Sequence, residues 1–154
     1  MLASTYDISG DIVKARAVLA KTKPTDGDGW YLNVMAFNAI ASRQYQSATA
    51  VLKAQLEKPQ TLRDAVGGTF LSLGDLQRHA GDVKAAARSY HQASAALQAA
   101  LVSQPTNAEL LSSLALTETW LGNQTAALSH ARKAIEPRPS AKAAYTGPTF
   151  EETL

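Results

Sequence analysis

The chain has 154 residues, the size of one compact domain, with 45% hydrophobic and 18% charged residues and a net charge of +2 from fifteen Lys and Arg against thirteen Asp and Glu. Basic residues so scattered leave no electrostatic footprint for nucleic acid or an anionic membrane, and the absence of cysteine excludes a disulfide framework and thiolate chemistry. The opening "MLASTYDISGD" lacks a signal-peptide pattern and no run reaches bilayer-spanning length, so a soluble cytoplasmic protein, or a piece of one, is expected.

Alanine is abundant, Val and Ile are sparse, and proline stands only at Pro24, Pro59, Pro105, Pro137, Pro139 and Pro148. This is helix vocabulary with helix stops, and no alternating window bounded by tight-turn dipeptides suggests a hairpin. The expected fold class is all-α. In chain order, helices are expected at 1–8, 11–22, 29–42, 45–57, 61–79, 83–103, 107–121 and 124–136. Asp28 is placed to cap the helix that begins near Trp30. Gly67 and Gly68 each weaken the 61–79 helix by about 1 kcal/mol relative to Ala, so that helix starts, bends or approaches another backbone there. "SAALQAALVSQ" at 94–104 continues the Ala/Leu pattern up to Pro105 and lengthens the sixth helix.

The turns between these helices repeat. Gly10, Gly81 and Gly122 are each followed five residues later by Ala15, Ala86 and Ala127, and four residues beyond those by Leu19, Tyr90 and Ala131. Seven residues before each glycine a small residue follows Leu: Leu2-Ala3, Leu73-Gly74 and Leu114-Ala115. A fourth copy has Met35-Ala36, Tyr45, Ala48 and Leu52, with Arg43 in the glycine slot. Small residues at Ala36, Gly74 and Ala115 facing Ala48, Ala86 and Ala127 allow two antiparallel helices to approach closely. Each glycine can enter the left-handed conformation that ends a helix, and Asp11, Asp82 and Asn123 are placed to cap the helix that follows.

The pattern resembles the tetratricopeptide repeat, a helix-turn-helix unit of about 34 residues. The third copy carries most of the likeness, through Phe70, Leu73, Gly74, Gly81, Ala86, Tyr90 and Ala93; in the fourth, Leu111, Leu114, Ala115, Gly122, Ala127, Ala134 and Pro139 match, while Glu118 and Ala131 replace aromatic residues. Equivalent turns lie 33, 38 and 41 residues apart. The resemblance implies a right-handed superhelix, an α-solenoid of antiparallel helix pairs, over residues 1–140. Its repeats fall at about 1–24, 29–59, 67–105 and 108–139, three complete and the first truncated, and 141–154 is a tail beginning a further, truncated helix. Both ends look cut, which suggests a fragment of a longer protein. "ARKAIEPRPSAKAAYTGPTFEETL" also resembles the late repeats of bacterial multidomain signalling proteins built on a kinase, a nucleotide cyclase or a transcriptional regulator.

No catalytic or metal constellation is legible. His79, His91 and His130 lie on three helices without a carboxylate or histidine partner at helical spacing. "TDGDGW" lacks the remaining ligands of a calcium loop, and "AVGGT" is not a phosphate loop. No cofactor, metal or enzyme activity is expected. The resemblance implies instead a groove lined by the first helix of each pair, placing Trp30, Asn33, Phe37 and Ile40, then Gly68, Leu71, Asp75 and Arg78, then Glu109, Ser112, Leu116 and Thr119 toward a peptide or protein partner. Trp30 and Phe37 are its candidate anchors, and Trp120 is expected in the core. The Lys and Asn set with which some relatives grip a terminal carboxylate is absent, its slots holding Asn33, Phe37, Ser72, Glu109 and Ser113. The expected function is non-catalytic protein binding. The alternative is a spacer or self-association element, a homo-oligomer through exposed repeat ends, regulating an attached domain.

Overall fold

Seven helices and no strand occur among the described residues of the computed structural model, which are 10–21, 29–58 and 63–136. They are α1 (Ile12–Lys21), α2 (Gly29–Ala41), α3 (Tyr45–Leu56), α4 (Arg63–His79), α5 (Val83–Ser103), α6 (Ala108–Trp120) and α7 (Gln124–Ile135). The protein is therefore all-α, with bounds close to those expected. The helix expected at 1–8, the Asp28 cap and the tail at 141–154 lie outside the described residues.

The turn chemistry explains where the helices stop. Gly10, Gly81 and Gly122 have φ of 78°, 86° and 82°, and Arg43, in the equivalent slot, has a φ of 56°. After α2, α4 and α6 the same two hydrogen bonds recur. Arg43, Gly81 and Gly122 donate three residues back, to Ile40, Arg78 and Thr119, while Gln44, Asp82 and Asn123 donate five residues back, to Ala39, Gln77 and Glu118. This is the Schellman closure, which requires one left-handed residue. Asp82 then caps α5 by accepting from Ala85 N at 3.0 Å, and Asp11 accepts from Lys14 N at 3.2 Å. Asn123 corrects the expected pattern: its amide donates to Glu118 Oε2 and makes no side-chain cap. Asn107, not foreseen as a cap, accepts from Glu109 N and Leu110 N to start α6. At the far end of α5, Gln104 leaves helical geometry at φ −135°, as the residue before Pro105 must.

These turns set a testable pair of substitutions. An added Cβ at Gly81 meets no atom within 4 Å, so Gly81→Ala carries only the conformational cost of positive φ, about 1 kcal/mol of lost stability. Arg43→Gly relieves a side chain held in the left-handed region and is expected to stabilise by about 0.5–1 kcal/mol after the greater freedom of the unfolded glycine is subtracted. Urea unfolding of both variants checks this, and opposite signs at the two equivalent slots are the expected result.

Consecutive helices run antiparallel. On α4 and α5, Gly67 faces Leu97, Gly74 faces Tyr90, and Gln77 accepts from Ser89 at 2.7 Å, so numbers rise on one helix as they fall on the other. Likewise Tyr31 donates to Leu19 O and Asn38 to Ile12 O between α1 and α2. Each helix packs on its chain neighbours, and α4 packs in addition on α2 and α6.

Two large apolar cores result, beside a small third of Leu19 and Val34 between α1 and α2. One joins Leu32, Ala36, Ala39, Ala48, Leu52, Leu73 and Leu76 of α2, α3 and α4; the other joins Leu71, Ala86, Tyr90, Ala93, Leu97, Leu110 and Leu114 of α4, α5 and α6. Phe70 packs against both, so α4 ties the two together. The repeated small positions Ala15, Ala36, Ala48, Ala86, Ala115 and Ala127 are all buried, as are Leu19, Leu52, Tyr90 and Ala131 one turn on. The nearest neighbour of an added Cβ at Gly74 is the Tyr90 ring. Glycine is needed there because any Cβ would enter that ring.

Candidate functional site

The first-helix surface is assembled only in part. Trp30 and Phe37, 49% and 53% exposed, stand two turns apart on α2 with exposed Asn33 between them, so their aromatic faces meet solvent and not the core. On α6, Leu116 is 44% exposed, Glu109 and Thr119 are exposed, and Ser112 is half-buried. The α4 residues behave differently. Leu71 is a core residue, packed with Tyr90, Leu110 and Leu114, and is not presented to a ligand. The reason is positional: α4 lies between α2 and α6, so the stripe that α2 leaves open is covered on α4.

Asp75 and Arg78 are likewise engaged internally. Tyr90 Oη donates to Asp75 Oδ1 at 2.8 Å. Burial raises the Asp75 carboxyl above the ordinary carboxylate range, opposed by the Tyr90 hydrogen bond and the Arg78 charge. Burial and the Asp75 carboxylate push the Tyr90 phenol upward in turn. The Arg78 guanidinium sits 4.1 Å over the Trp120 ring and donates to His79 Nε2 at 3.1 Å. Trp120 stacks on Tyr90 at 6.3 Å, and Tyr45 stacks on His79 at 6.4 Å. A ladder of rings and one cation thus crosses the C-terminal ends of α4 and α6. Trp120, expected in the core, is 45% exposed, because Tyr90 and Arg78 cover part of its ring and its helix ends there.

A second concavity was not foreseen. The start of α3, at Tyr45, stacks on the end of α4, at His79, so α3 is antiparallel to α4 and parallel to α5. Between α3 and α5 runs an open groove of about 1040 Å³ floored by α4. Its floor is the stripe Phe70, Leu73, Gln77 and Ala80, at i, i+3, i+7 and i+10, extended by Tyr45 and Leu56. Its walls are mixed: Gln46, Thr49, Ala50 and Lys53 from α3 with Glu57 at its end, and Ala85, Arg88, Ser89, His91 and Gln92 from α5 with Asp82 at its start. Phe70 and Leu73 were legible only as repeat packing positions; the outward polarity of α3 and α5 was the signal that a wall, and not a further helix, stands on either side.

Among the described residues no group of three or more His, Cys, Asp or Glu is placed to hold a metal ion, and no helix is long and apolar enough to cross a membrane. His130 is held below the ordinary histidine value by burial and by Lys133, against the opposing pull of Glu118. It lies on α7, away from the groove-lining residues. No protein-family model, curated protein or solved structure matches the chain.

Proposed function

We propose that the chain is a non-catalytic protein-interaction module, a right-handed stack of tetratricopeptide-like helix pairs that receives a segment of a protein partner. The observation that carries the binding reading is the open groove between α3 and α5, whose lining mixes apolar residues such as Tyr45, Leu56 and Phe70 with polar ones from both walls, as a peptide-docking trough does. The repeat reading is supported by four turns with one left-handed residue in the same slot and by buried small residues at the same offsets from it. A second surface is favoured by the half-exposed Trp30 and Phe37 on α2, aromatic anchors of the kind that concentrate binding energy.

Selection of displayed peptides from an unbiased library on the immobilised chain tests this and separates the surfaces. Ala50→Trp with Gln92→Trp fills the groove from exposed positions on opposite walls, and Trp30→Ala with Phe37→Ala strips the α2 face. Peptides enriched on the native chain are expected to lose at least about tenfold in affinity, roughly 1.4 kcal/mol, on the groove-filled variant. No enrichment over an unrelated helical protein, or enrichment indifferent to both variants, would sink the proposal.

A further inference from the structure

We infer that α7 is a pH-sensitive latch: it stays docked on α6 while the His130 ring is neutral and loosens when that ring is protonated. The hold on α7 is light. Whereas α4 packs on α2, α3, α5 and α6, among the described residues α7 packs on α6. The buried residues of α7 are Ala127, Ala131 and Ala134, which bring one methyl group each. So little apolar area gives little docking energy, and an element with few buried apolar contacts opens locally at a lower free energy than the core does. One polar group at this contact can therefore shift the balance.

His130 sits at that contact. It stands three residues after Ala127 and four before Ala134, on the same stripe of α7, and it is half-buried. Its Nδ1 is buried and meets no hydrogen-bond partner. With the ring proton on Nε2, the neutral side chain leaves only a lone pair unmet there. Protonation turns Nδ1 into a charged donor with no acceptor, which is the costlier state. The charged groups that act on the ring are one from each helix. Lys133, one turn on along α7, opposes a second cation, and Glu118 of α6 attracts it. Glu118 is already committed, since its two oxygens accept from Ser94 and Asn123. Burial first, then Lys133, outweigh Glu118 and hold the ring below the ordinary histidine value. A ring that takes up its proton less readily when docked than when freed gives α7 its full docking strength above the ordinary value of about 6.5. That strength falls as pH drops through this value, and the loss is complete below the lowered value of the docked ring.

Amide hydrogen exchange of the whole chain at about pH 7.5 and about pH 5, corrected for the intrinsic pH dependence of exchange, tests this. Protection of the α7 amides is expected to fall by at least about threefold at the lower pH, while that of α4 and α5 falls less. The midpoint of the loosening should coincide with the titration of the His130 ring protons. His130→Gln keeps a neutral polar side chain at both pH values, so its α7 should respond to pH no more than its α4 does. The same α7 response in the native chain and in His130→Gln overturns the latch, as does a loss of protection spread evenly over all the helices. Protection of α7 that stays level or rises on acidification also overturns it, because the charged ring would then be satisfied by Glu118.

Discussion

Leu97→Ala is expected to destabilise the fold by about 2–5 kcal/mol, the range for emptying a fully buried leucine site. Leu97 is 1% exposed in the core shared by α4, α5 and α6, and its side chain occupies the space left by Gly67: a Cβ on Gly67 would sit 2.5 Å from Leu97 Cγ. This close fit gives the prediction a second part. Gly67→Ala alone gains up to about 1 kcal/mol of helix propensity but drives a methyl into Leu97, an overpacking cost of about 1–3 kcal/mol, so it is expected to destabilise on balance. In the Leu97→Ala background the clash with Cγ and Cδ2 is gone and only the residue 97 backbone nitrogen, 3.2 Å away, stays close, so the same methyl should cost markedly less there. The two changes are therefore expected to be non-additive by about 0.5–3 kcal/mol, measured by urea unfolding of the four-member cycle. Strict additivity would mean that Gly67 and Leu97 are not in contact, and with it the packing of α4 on α5 would be wrong.

The contrast between Gly67 and Arg43 shows what could be read from the chain. Arg43 is the wrong residue type for a helix stop, yet alignment with Gly10, Gly81 and Gly122 placed it in their slot, and it has their positive φ. That was legible because a Schellman turn is local: its hydrogen bonds span at most five residues. Helix limits were legible for the same reason, through Asp82 before α5 and Pro105 after it. Which side chain lies nearest Gly74 was not, since it is the Tyr90 ring, and that choice depends on the axial offset between α4 and α5. Offset is a property of all the side chains along a crossing and of none singly. Leu71 was misplaced by the same blindness, because a position open to solvent on α2 is covered on α4 by α5 and α6. The groove lay furthest from view. Its width is the separation of α3 from α5, which share no turn and are set apart by the bulk of α4.

Glu118 presents the opposite case, a residue that breaks the resemblance drawn from the sequence and that the structure provides for. It is 5% exposed, a carboxylate that burial would disfavour without partners. Both oxygens are used. Ser94 Oγ of α5 donates to Oε1 at 2.7 Å, itself accepting from Gln98 Nε2 at 3.0 Å, and Asn123 Nδ2 donates to Oε2 at 2.6 Å. The side chain thus ties α5, α6 and the turn into α7, which is why Asn123 is diverted from capping. Glu118→Ala is expected to cost about 2–4 kcal/mol, from a cavity and from donors left without an acceptor. Glu118→Gln keeps the volume and one carbonyl oxygen: with that oxygen toward Asn123, the new amide donates to Ser94 Oγ, whose own proton then loses its acceptor, so about 1–2 kcal/mol is expected from the lost charge and the unmade bond. A second readout separates charge from packing. Glu118 opposes the burial and the Lys133 charge that depress His130, so both variants should lower the His130 titration further, as followed by its ring proton resonances. Loss of stability without movement of His130 would leave Glu118 a packing residue. Movement of His130 with stability retained in Glu118→Ala would mean that its hydrogen bonds to Ser94 and Asn123 contribute nothing to holding α5, α6 and the turn into α7 together.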